Sequence, residues 1–114
     1  MDLSEFAQTE YEGTITEATV KPLREYLKTK RSPLPDKVID AKFNNPDREN
    51  IIVVAECEDV AVSGFFMIPK RQGWNKSNLK RFVDRNSLSL DTEKWPGKKI
   101  KLNVDKGGFL RFAL

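Results

Sequence analysis

Period-two alternation is the feature that most constrains this chain. Ile51, Val53, Ala55 and Cys57 fall on one side of an extended run, with Glu56 and Glu58 on the other. A second extended run, Val60 to Ile68, follows after Asp59 and ends at Pro69. Alternation of this kind reads as half-buried strand. It recurs at Glu10 to Val20, where Tyr11, Gly13 and Ile15 alternate with Glu12, Thr14 and Thr16. Gly13 there is placed to mark a bend or bulge. Ile39, Ala41 and Phe43 predict a strand over 38–44, and Ile100, Leu102 and Val104 predict another over 99–104. DKGG at 105–108 is a tight-turn signal before a closing strand, 109–114. The 60–68 run reads either as a continuation of the third strand or as a sixth strand.

The helical signal is short. Asn75 or Ser77 can cap a helix in which Leu79, Phe82 and Val83 stand at i, i+3 and i+4. Residues 21–37 are rich in proline, lysine and arginine, so they read as a long loop with one helical turn near Leu23 to Leu27. With 114 residues the chain is a single domain over 10–114, preceded by a flexible arm at 1–9. Small antiparallel sheets tend to close, because closure removes exposed edges. The expected fold is therefore mainly β: a small closed or partly open antiparallel barrel, with one short helix before the last two strands plugging its open end.

Three stretches carry a resemblance: YEGTI at 11–15, NKSNLKRF at 75–82 and WPGKKIKL at 95–102. They resemble the early strand, helix and late strand opening of oligonucleotide/oligosaccharide-binding (OB) folds of the phage and archaeal single-stranded DNA-binding type. The resemblance implies an OB-like barrel and non-catalytic binding of single-stranded nucleic acid, DNA ahead of RNA. The Pro-rich loop at 21–37 and the 60–68 run depart from that pattern.

Charge points the same way. Residues 1–60 carry 8 Lys/Arg against 13 Asp/Glu, and residues 61–114 carry 12 against 4, so a net −5 half precedes a net +8 half. A basic half suits a polyanion. Binding single strands needs cations along the phosphates and flat side chains under the bases. The candidate set is Lys42, Phe65, Lys70, Arg71, Trp74, Lys76, Lys99, Lys101, Phe109 and Arg111. Trp74 is the leading stacking residue, lying in a loop of Gly, Asn and cations, whereas Trp95, Phe82, Phe43, Phe66 and Phe112 suit the core. Phe65 and Phe66 point to opposite faces, so Phe65 either packs under the long loop or is exposed for binding.

Catalysis has no signature. The chain has no His, and its one cysteine, Cys57, sits in a β-branched run as a small buried apolar residue. Glu56, Glu58 and Asp59 suit a solvated strand end better than a cation site. No cofactor is expected. No apolar run reaches the roughly 20 residues that span a bilayer, and the acidic start is unlike a signal peptide, so the expected compartment is reducing cytosol. Partners other than nucleic acid are a further copy of the chain or, as the alternative function, a protein docked through the acidic and basic halves.

Overall fold

The structure is a computed structural model that describes residues 2–4, 9–29 and 32–114. Most of the arm expected at 1–9 lies outside the described residues. Five strands form one antiparallel sheet in the order β3-β2-β1-β4-β5: β1 Glu10–Pro22, β2 Glu49–Cys57, β3 Val60–Met67, β4 Lys99–Val104 and β5 Leu110–Phe112. The sheet coils almost into a barrel.

β1 makes the coiling possible. Its first half, 10–14, pairs with β4, and its second half, 14–22, pairs with β2; Thr14 belongs to both ladders. A bulge lies between Ile15 and Glu17, and the extra residue, Thr16, donates its hydroxyl to the Val54 carbonyl at 3.2 Å. A bulge adds local twist, which bends the strand around the core. Gly13 has a different role from the bulge expected there. A Cβ at this position would stand 2.9 Å from Leu102 Cδ1 and 3.1 Å from the Glu56 carbonyl oxygen, so glycine permits the close crossing of three strands.

The 60–68 run pairs with β2 along its whole length, from Cys57 opposite Val60 to Asn50 opposite Met67. Glu58 and Asp59 form the turn with φ of 48° and 67°. A two-residue hairpin with both φ positive matches the twist of the strands it joins. The inner face then carries Ile51, Val53, Ala55 and Cys57, all buried. Burial raises the pKa of the Cys57 thiol, with Glu58 adding to the shift.

Helix α3, Asn78–Arg85, lies between β3 and β4 and closes the barrel's end. Ser77 is the cap: its Oγ accepts from the Lys80 amide at 3.1 Å. Leu79, Phe82 and Val83 point inward. Phe82 is fully buried, stacked on Phe66 at 4.6 Å between ring centroids and edge-on to Trp95 and Phe112 at 5.7 and 5.5 Å. The Trp95 indole donates to the Ser89 carbonyl at 2.7 Å, so its polar end is satisfied in the core.

One strand of the expected set is a helix. Residues 38–44 do not pair with the sheet; Asp36–Lys42 forms α2, and Leu23–Thr29 forms α1. The two spacings coincide here, since Ile39 and Phe43 are alternate on a strand and i, i+4 on a helix. Pro35 and Asp36 are helix-start residues, and they decide between the two. The α1–α2 excursion builds a second, smaller core on the outer face of β2, where Leu23, Tyr26, Leu27 and Ile39 bury Ile52. Arg24 ties the excursion together through Asp36, Asp40 and Asp47 at 2.9, 2.6 and 2.7 Å. Lys28 and Arg24 together hold the Asp36 carboxyl below the usual range, and Arg24 does so for Asp47.

Removing the central ring should be severe. Phe82→Ala is expected to cost about 3–5 kcal/mol, read as a lower urea midpoint at unchanged slope. The ionic ties make a pH prediction. Because the folded carboxylates ionise below their unfolded value, their contribution is full above about pH 4 and fades as pH falls through the lower folded values. Amide exchange of residues 23–29 should therefore accelerate in acid in the wild type. Arg24→Met should show weaker protection already at neutral pH and a flatter acid response. An unchanged acid response would remove Arg24 from this role.

Candidate nucleic-acid interface

The sheet stops short of closure on one side. Among the described residues no ladder joins β3 to β5. The space between them is filled by a ring: a Cβ on Gly64 would stand 2.6 Å from Phe112 Cε2, so Phe112 lies directly on the Gly64 backbone. Phe112 is tilted against Phe66 at 6.0 Å on its inner side. The seam is therefore held by aromatic packing in place of hydrogen bonds.

Outside this seam runs a groove of about 700 Å³. From the β3 side it is lined by Tyr26, Ser63, Phe65 and Met67; from the β5 and α3 side, by Lys76, Asn78, Arg111 and Leu114. Among the described residues no Asp or Glu side chain lines it. Its charged side chains, Lys76 and Arg111, are both cations, and Arg111 is paired by Nε with Asp105 at 2.7 Å. Several of its apolar members are exposed: Phe65 is 38% exposed, Met67 61% and Leu114 47%.

Phe65 takes both of the places open to it. Its ring packs edge-on against Tyr26 at 5.9 Å and Phe43 at 6.4 Å, yet leaves part of its surface in the groove. Tyr26 is fixed in turn by a 2.8 Å hydrogen bond to the Ser63 hydroxyl. The excursion thus acts as a bracket that orients an aromatic side chain at the groove wall.

The remaining candidates divide by location. Lys70 and Arg71 are exposed beside Pro69 and Gly73, which line the groove; among the described residues neither they nor Lys76 is ion-paired. Trp74 is half-buried against the barrel core, so it anchors this loop and does not stand free in it. Its carbonyl accepts from the Ser77 hydroxyl at 2.7 Å, which ties the 3-10 turn Arg71–Lys76 to the cap of α3. The loop is a small basic knuckle pinned by its tryptophan. Phe109 is 69% exposed on the β4–β5 turn, one residue before Leu110 of the groove lining.

Lys99, Lys101 and Lys42 lie elsewhere. Lys99 pairs with Glu12 at 3.3 Å and Lys101 with Glu10 at 3.4 Å across the β1–β4 ladder, so this outer face is charge-balanced. Lys42 ends α2 and does not join a strand face, because the strand expected there is helical. Sequence reasoning passed over Tyr26 and Met67. Met67 was legible, being two residues from Phe65 on the same outward face; Tyr26 was not, since only the fold of the excursion brings it to β3.

The packing at Gly64 yields a test. Gly64→Ala should force Phe112 off the seam and destabilise by about 1–3 kcal/mol. Phe112→Leu in the same chain should recover part of that loss, read by thermal melting of the two variants; no recovery would show that the ring is not what the methyl meets.

Neither family models nor characterised proteins nor solved structures match this chain.

Proposed function

We propose that this protein binds single-stranded nucleic acid, DNA ahead of RNA, in the groove beside the β3–β5 seam, and that it does so without catalysing a reaction. One observation carries this reading: a single groove faces an aromatic, apolar wall (Tyr26, Phe65, Met67) with a cationic wall (Lys76 and Arg111, the latter paired by Nε with Asp105), and among the described residues no acidic side chain lines it. Bases need a flat apolar surface and phosphates need cations, and a strand laid along the seam would meet both at once. Lys70 and Arg71 extend the cationic wall along the adjoining loop. The likeness of the short motifs to single-stranded DNA-binding OB folds agrees with this, as does the barrel with its helix between β3 and β4. Among the described residues no helix is long and apolar enough to cross a membrane.

The alternative that used the acidic and basic halves as two docking poles has less support, because Lys99–Glu12 and Lys101–Glu10 pair two charges of each half inside the molecule. A different protein contact is favoured by one feature: β3, VAVSGFFM, is an edge strand without a charge or a proline, which are the usual guards against strand addition.

Salt separates the two. With Lys70, Arg71, Lys76 and Arg111 meeting about four phosphates, the log affinity for a short oligothymidylate should fall against log salt with a slope of about −3, measured by fluorescence anisotropy. Lys76→Ala should reduce that slope by about 0.7. Phe65→Ala should cost about 1–3 kcal/mol of affinity with the slope unchanged. Absence of binding even at low salt would overturn the proposal and leave strand addition along β3 as the better reading.

A further inference from the structure

Arg111 reaches the groove from the outward face of β5, and it is not left free to wander. Its Nε donates to Asp105 Oδ2 at 2.7 Å. The other oxygen of the same carboxylate, Oδ1, accepts from the Gly107 amide at 2.9 Å and the Phe109 amide at 3.0 Å. The backbone of the turn is closed as well, by the Asp105 amide on the Phe109 carbonyl at 2.9 Å. Asp105 is thus clamped by the turn it caps, and it clamps Arg111 in turn. The side chain of Arg111 nevertheless remains 70% exposed, and among the described residues neither Nη has an acceptor.

We propose that Asp105 is a positioning residue for nucleic-acid binding: it holds the guanidinium of Arg111 by Nε, so that the Nη1/Nη2 end faces a phosphate in the groove. The proposal rests on the binding function assigned to that groove. A guanidinium has donors on more than one edge, so one edge can be held while another binds an anion. An unheld arginine loses rotamer freedom when it binds; one already held loses less.

The effect has an unusual sign. Removing a carboxylate from a nucleic-acid-binding surface ordinarily strengthens binding, because a repulsion of the phosphates is lost. Asp105 is half-buried and its charge is already paired with Arg111, so that repulsion is small and screened. Loss of the ordered guanidinium outweighs it, weakening affinity by about 2- to 10-fold. Without Arg111, only the repulsion is left, and the sign should reverse.

The test is a double-mutant cycle, with a labelled oligothymidylate of about eight nucleotides as the probe at fixed moderate salt. Asp105→Asn keeps an Oδ1 acceptor for the Gly107 and Phe109 amides but offers Nδ2–H to Arg111 in place of an acceptor. In the wild-type background it should weaken binding by about 2- to 10-fold. In the Arg111→Ala background it should leave binding unchanged or slightly tighter. A purely structural role for Asp105 would weaken both backgrounds alike, and that result overturns the proposal; so does an Asp105→Asn protein that binds as tightly as the wild type. If Asp105→Asn lowers the melting temperature, Arg111→Lys decides instead. An ammonium held by Asp105 has no second planar edge, so this variant should bind more weakly than the wild type at equal charge, and equal binding overturns the proposal. Absence of binding by the wild type at low salt is a separate result, which overturns the groove assignment and this inference with it.

Discussion

The contact on which the rest of this small barrel depends is made by three rings. Phe66 comes from β3, Phe82 from α3 and Phe112 from β5, and they meet where the sheet does not close. Hydrogen bonds would have closed the seam only by bringing β3 and β5 to ladder distance. The Phe112 ring on Gly64 holds the two strands together while leaving them unladdered. Stacked and edge-on rings bury much apolar area and have a preferred geometry, so the contact is both strong and specific. Its by-product is the groove, with an uncharged strand on one side and a cationic strand and loop on the other.

The bracket formed by α1 and α2 answers a second demand of the sheet. A barrel strand such as β2 has one face inside and one outside, and here both are apolar: Val53 faces the main core and Ile52 the smaller one. The outer face needs a cover. The excursion supplies it, held by the buried side chains of Leu23, Tyr26, Leu27 and Ile39 and by the three carboxylates around Arg24. Because that cover ends at Tyr26 and Phe43, it also sets the angle of Phe65 at the groove. Stability of the outer core and shape of the groove wall are therefore coupled through two ring contacts.

Much of this was legible in the sequence, for a physical reason. Wherever one face of a strand is buried, alternation records it, so β1, β2, β3 and β4 could be placed from Ile15, Val53, Phe66 and Ile100 and their neighbours. The α3 plug was legible from Leu79, Phe82 and Val83, with Ser77 as the cap. Residues 38–44 were misread because Ile39 and Phe43 satisfy both periods over so short a span. The site was less legible. Cation positions can be read from sequence, but their neutralisation cannot: Lys99 and Lys101 gain Glu12 and Glu10 only through strand register. Trp74 has polar neighbours along the chain, yet it packs on the core, because the 3-10 turn folds it back. Tyr26 reaches Phe65 from a distant part of the chain, across a separation no local pattern spans.

The proposed binding puts a nucleic-acid strand along the β3–β5 seam and nowhere else on the barrel. The most direct measurement is the change in backbone and methyl NMR shifts on titration with a short oligothymidylate. Saturating changes are expected at Phe65, Met67, Arg71, Lys76 and Arg111, with Glu10, Glu12, Lys99 and Lys101 unmoved. Changes centred on the β1–β4 face, with the seam silent, would contradict it.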